Sequence, residues 1–361
     1  MDNNMFEKEQ ASPPSYNYEP EEQTEQEVSP ILYKQRLKRS YGSATMLMVI
    51  HLVVLLIVTF IGTTAASAKL TAQIMAENSN IDPNTLREQV QSRASELDLS
   101  MVVYIGGTVA GIAALIFAYL SLRTFKITDS LKKWRKVEML PLGIISIVGI
   151  QGVSIFVITL MTMITGKTGM PESAQNTLSF SNDIFRDAMM LLYVVILGPV
   201  LEELMFRGFI LNALSPVDKK FAVIVSAALF SLMHGNFAQF FNTFFVGLLL
   251  GYIAVKAGSI IPTIIAHFFL NLNAMASELI FKESPAVMIY FGVCALVGIP
   301  LLIIFLRKNG RITDEDRCIE GYDAPVPKTS EYTAKILFSR PSFWVVALYY
   351  LVNAVYMMAI S

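Results

Sequence analysis

Charge is scarce in this chain. Of its 361 residues, 16% are Asp, Glu, Lys or Arg and 54% are hydrophobic, whereas soluble domains carry about 25% charge. That shortage excludes an ordinary soluble protein and a wholly disordered or collagenous one. A net charge of -1 leaves no basic patch, so nucleic acid is excluded as a partner. Cysteine is scarcer still: Cys294 lies in an apolar run and Cys318 in a charged one, which rules out a disulfide framework or a thiolate metal site. There is no HExxH pair, no glycine motif preceded by a strand and no evident internal repeat.

Long uncharged runs are what the chain has instead. They occupy 44–68, 99–122, 139–166, 188–201, 221–255, 257–277, 284–306 and 341–361, and runs above about 18 residues mark membrane spans. The run 221–255 is too long for one span and is interrupted at MHGNFAQ by His234, Gly235 and Asn236, so it divides in two. The expectation is an all-α, polytopic membrane bundle of about nine transmembrane helices. The short run 188–201 continues past Glu202 into GFILNAL, which predicts a helix from about Asp183, bending after Pro199 toward Leu214.

Polar segments set the topology. Residues 1–28 hold eight acidic residues and one Lys in a Pro-rich stretch that cannot bury enough surface to fold. The basic KQRLKR at Lys34 to Arg39 follows that tail rather than opening the chain, unlike a signal peptide. With the N-terminus cytoplasmic, twenty Lys and Arg fall on inner segments and six on outer ones, as the positive-inside rule requires. The basic RTFKITDSLKKWRK, with Trp134, reads as an interfacial anchor. Residues 69–98 form a polar outer loop in which Asp82-Pro83-Asn84 signals the start of a small helix.

Three charges defy the apolar background. GPVLEELMFRG places Glu202, Glu203 and Arg207 in one apolar helix, where each charge costs roughly 2.5 to 3.5 kcal/mol unless paired or hydrated. Glu203 and Arg207 are i,i+4 and can pair, whereas Glu202 lies about 100° around the helix and is left for another partner. In SAALFSLMHGN, Phe230 and His234 are i,i+4, which stacks the ring one turn above the imidazole. His267 and Asn271 share one face in HFFLN by the same spacing. Lipid offers these groups no hydrogen bonds, so Glu202, Glu203, Arg207, His234, His267 and Asn271 must meet in a polar cavity within the bundle. His51, alone in MVIHLVV, reads as a helix-contact side chain, and GLLLG (247–251) and GTVAG (107–111) as close-packing stripes.

EELMFR, FSLMH and HFFLN, in order on successive apolar helices, resemble the EExxxR, FxxxH and HxxxN motifs of the CAAX-protease and bacteriocin-processing (CPBP, or Abi) family of intramembrane glutamic endopeptidases. The resemblance covers about 180–305. It implies a hydrolase that cleaves peptide bonds of membrane-associated proteins or peptides, of CAAX, bacteriocin or signal-peptide type, with a glutamate-activated water and no cofactor. Glu202 would be the general base and His234 would hold the water. His267 and Asn271 would stabilise the oxyanion, and Glu203 and Arg207 would position Glu202 and substrate. The chain then divides into a tail and juxtamembrane segment (1–40), N-terminal spans (41–178), a catalytic core (179–306), a cytoplasmic linker (307–340) and an added last helix (341–361). Two alternatives differ in class. One is a zinc protease using Glu202, His234 and His267 as ligands. The other is a non-catalytic scaffold or chaperone for a cell-envelope partner protein.

Overall fold

The computed structural model describes residues 30–94, 97–121, 130–132, 135–181, 183–281, 284–313, 315–316 and 327–361. The acidic tail, Cys318 and most of the basic segment around Trp134 lie outside them. The long helices are α1 (Pro30–Glu77), α2 (Pro83–Arg93), α3 (Ser100–Ser121), α4 (Leu140–Thr165), α5 (Ile184–Leu214), α6 (Lys219–Met233), α7 (Phe237–Ala257), α8 (Ile261–Phe281), α9 (Ala286–Asn309) and α10 (Pro341–Ile360). Among the described residues there is no strand. Eight helices, all but α2 and α6, are long and apolar enough to cross a membrane. With its 15 residues, α6 reaches about 22 Å and is the ninth helix of the bundle among the described residues.

Local chemistry explains most boundaries. The carboxylate of Asp183 accepts from the Phe185 and Arg186 N–H groups and opens α5 where the sequence predicts, while Asp218 does the same for α6. The run 221–255 breaks at the expected place: α6 ends at Met233 and the Asn236 side chain caps α7 by accepting from Gln239 N–H. Asp82 caps α2 in the polar segment that follows α1. The first helix departs from expectation, since it starts at Pro30 and runs through Lys69 to Glu77, 48 residues in all. No glycine or proline stands between Thr63 and Asn78, and the buried Leu70 and Ile74 keep the extension packed.

The α5 helix continues through Pro199 to Leu214 as expected. Its turns widen to the π form at Leu192–Leu197 and Leu204–Ile210, on either side of an α-helical segment Gly198–Glu203. Widened turns of this kind absorb an inserted residue and recur at functional sites.

Connections gather into two layers. On one side the Ser40 hydroxyl donates to the Ala213 carbonyl at 2.8 Å, the Arg135 N–H to Ala257 at 2.9 Å, and Lys256 pairs with Asp316 at 2.7 Å. On the other, Arg186 binds Asp98 at 3.0 Å and donates to the Ser100 hydroxyl at 3.1 Å, and Lys167 donates to the Ala359 carbonyl at 2.7 Å. Between them lie two apolar clusters. One joins α1, α3, α5, α6 and α10 around Tyr41, Phe206, Phe209 and Phe230; the other joins α4, α7, α8 and α9 around Ile147, Leu250 and Phe305.

The glycine stripes act as packing surfaces. A Cβ on Gly247 would lie 3.1 Å from the Ala227 Cα, and one on Gly251 3.1 Å from the Val223 side chain, so α6 and α7 pack closely. On α3, Gly107 and Gly111 make room for Tyr193 and Leu201 of α5. His51 is buried on α1.

Candidate active site

The six polar residues singled out in the sequence come from α5, the turn after α6, and α8, and they sort into a buried, paired set and a more open one. Glu203 is committed through its Oε1. Its side chain is 0% exposed, Arg207 donates to its Oε1 at 2.7 Å, and the His267 Nδ1–H donates to the same oxygen at 3.0 Å. The i,i+4 pair therefore forms as the spacing predicts, with an imidazole added from α8. Arg207 also donates to the Gly247 carbonyl at 3.2 Å and lies over the Phe230 ring, 4.5 Å from its centroid. The packing glycine on α7 thus brings a backbone acceptor to a buried guanidinium, which needs several acceptors away from water.

Glu202, one residue away, stands in a different environment. Its side chain is 22% exposed and its Oε2 lies 3.8 Å from His267 Nε2, beyond a direct hydrogen bond. Two adjacent carboxylates are thereby separated into a buried orienting group and an available one.

The two histidines are held differently. His234 lies just after α6, and its Nδ1 is 2.9 Å from the Phe230 carbonyl. A carbonyl only accepts, so Nδ1 carries the hydrogen, and in the neutral ring the lone pair is then on Nε2. His267 gives its Nδ1–H to a carboxylate, the arrangement that fixes the orientation of a functional imidazole. Phe230 joins the two: its ring meets His234 at 5.0 Å and 82°, His267 at 5.8 Å and 88°, and Phe206 at 5.1 Å and 72°. The contact with His234 is therefore edge-on rather than the stacked one expected from the spacing.

Asn271 has a role that spacing does not reveal. Its Nδ2 donates to the Val194 carbonyl at 2.7 Å. In the widened turn the Gly198 N–H donates five residues back, to Tyr193, so Val194 would be served by residue 199. That residue is proline and has no N–H. Asn271 supplies the missing donor, ties α8 to α5 within the wide turn Leu192–Leu197, and keeps one amide hydrogen for another acceptor.

Among the described residues, no group of three or more His, Cys, Asp or Glu side chains is placed to hold a metal ion.

Comparison with known proteins bears on these same helices. Residues 184–273, from the start of α5 into α8, match the family described as type II CAAX prenyl endopeptidase Rce1-like. The helices and the match describe a multi-pass membrane protein whose residues 184–273 are similar to a family of CAAX-type endopeptidases, hydrolases acting on peptide bonds. The chain is also similar to the candidate membrane peptidase YdiL of Bacillus subtilis (strain 168), at 24% identity over 177 residues that span 47% of this chain and 70% of that protein. No solved structure matches. Helix α10 lies outside the family match.

Proposed function

We propose that the chain cleaves a membrane-associated peptide or protein, of CAAX, bacteriocin or signal-peptide type, with a water activated by Glu202. The observation that carries this reading is the division between the carboxylates: Glu203 is spent on Arg207 and His267, while Glu202 is partly open and faces His267 Nε2. Glu202 takes the water's proton as its oxygen attacks the scissile carbonyl carbon, and returns a proton to the departing amide nitrogen. The His234 Nε2 lone pair accepts the water's second hydrogen and orients it. In its imidazolium form His267 donates Nδ1–H to Glu203 and Nε2–H to the oxyanion, joined there by the remaining Asn271 hydrogen. Held in a water-poor bundle, these donors meet developing charge without reorganising.

The excess of Lys and Arg supports a cell-membrane protein whose N-terminus and layer around Ser40, Arg135 and Lys256 face the cytoplasm. Comparing the peptides produced in membranes carrying wild type and Glu202→Gln tests the reading. Products present with the first and missing with the second are expected. Identical products overturn proteolysis and favour a scaffold for a cell-envelope partner.

A further inference from the structure

Helix α10 is apolar except near its ends and at a few tyrosines, yet it carries an amide in the middle of YYLVNAVYMMA. A polar side chain inside a bilayer is costly and needs a partner. Asn353 finds one outside its own helix: its Nδ2 donates to the Gly235 carbonyl at 2.9 Å. Gly235 directly follows His234 and has a φ of +65°, the left-handed conformation that ends α6. Its carbonyl is thereby turned out of the α6 ladder, where lipid offers no donor.

The fit between α10 and this turn is close. A Cβ at Gly235 would come within 2.7 Å of Asn353 Nδ2 and 3.7 Å of the Tyr350 ring. The rest of the turn is held locally: the His234 carbonyl accepts from Asn236 Nδ2 at 2.8 Å, and His234 Nδ1–H is held by Phe230 at 2.9 Å. The depth of α10 is itself pinned at both ends. Thr45 of α1 and Ser342 share a hydrogen bond of 2.6 Å, and Lys167 grips the Ala359 carbonyl at 2.7 Å.

We infer that Asn353 is a positioning residue for His234, so that α10, outside the matched core, forms part of the frame of the active site. Asn353 fixes the Gly235 peptide, the peptide fixes the end of α6, and the end of α6 sets where His234 Nε2 points. The inference rests on the proposed role of His234 as the group that orients the water.

The test uses the purified full chain in detergent micelles, as wild type, Asn353→Leu and the milder Asn353→Ala. Diethyl pyrocarbonate modification of each histidine is followed by peptide mass spectrometry. Hydrolysis of an internally quenched farnesylated peptide is followed in parallel. Loosening of the turn raises the His234 modification rate about fivefold in Asn353→Leu while His267 and the thermal midpoint stay at wild-type values, a local opening in an otherwise intact fold. If wild type cleaves the peptide, kcat falls about tenfold with KM unchanged, as a misplaced catalytic group predicts. Equal rates at His234 in variant and wild type overturn the inference, and so does a parallel rise at His267 with a lowered midpoint. Selective exposure of His234 in a protein whose wild type leaves every peptide intact keeps the positioning role and removes the hydrolytic reading instead.

Discussion

Where α4 meets α9, the contact is glycine against glycine: a Cβ on Gly149 would lie 2.5 Å from the Gly298 Cα, and one on Gly152 2.8 Å from the Ala295 nitrogen. Where α5 meets α7 and α8, the contact is charge and hydrogen bond, with Glu203, Arg207, His267 and the Gly247 carbonyl within 3.2 Å of their partners. Lipid tails are as apolar as leucine, so burial alone does not drive helices together in a bilayer. The first region gains association from close backbone approach and the van der Waals contact it permits. The second gains it from polar groups whose alternative is an unsatisfied charge. Only the second kind of seam can do chemistry, because only there do groups capable of holding or moving a proton remain.

The largest effect expected from testing this contrast is on activity. Glu202→Gln removes the base while keeping its shape, and general base catalysis is worth about 10²- to 10⁴-fold. Peptide hydrolysis should fall by that range with the thermal midpoint unchanged; full activity in the variant would sink the assignment. Incubation with a strong chelator addresses the zinc alternative on the same assay. Activity should persist, and a loss restored by added Zn²⁺ would overturn the metal-free scheme.

Stability should report the opposite member of the pair. Arg207→Met leaves Glu203 buried opposite an apolar side chain, and breaking a buried ion pair costs about 3 to 5 kcal/mol. The variant should unfold at markedly lower denaturant, unlike Glu202→Gln, and equal stabilities would deny that the two carboxylates differ. In the glycine seam, Gly298→Val forces a side chain against the Gly149 backbone. Overpacking of this kind costs about 1 to 3 kcal/mol, and hydrolysis per folded molecule should be unchanged. A loss of activity at full stability would show that the two regions are coupled.

Much of this contrast is legible in the sequence because it is local. The i,i+4 spacing delivers Glu203 to Arg207, the Asp183 cap marks the start of α5, and the His234-Gly235-Asn236 interruption divides α6 from α7. What escapes is tertiary. Asn271 reaches a carbonyl 77 residues away and Asn353 one 118 residues away, and neither acceptor leaves a mark of its own in the sequence. Pro199 signals a disturbance, yet nothing in the sequence says that wide turns stand on either side of its segment. A lone asparagine in the last apolar run was the available pointer to α10. The edge-on placement of Phe230 between two imidazoles and a guanidinium likewise depends on three helices meeting at once.

The smallest effect concerns a polar contact at the N-terminal end of α5. Asp98 lies between α2 and α3 and pairs with Arg186, in the first turn of α5, at 3.0 Å. Partial burial pushes its carboxyl up, but hydrogen bonds from Ser100 and the Arg186 charge outweigh that and hold it below the ordinary carboxylate value. A depressed carboxyl stabilises the fold above the unfolded value of about 4 and loses that contribution as pH falls through the folded one. Because the Asp98 side chain is 56% exposed, solvent screening limits the contribution to at most about 1 kcal/mol. Wild type should therefore be slightly more stable than Asp98→Asn at pH 6, with the gap closing below about pH 4. A gap that persists unchanged to pH 3 would mean that shape and hydrogen bonding at Ser100, rather than charge, anchor α5 at this end.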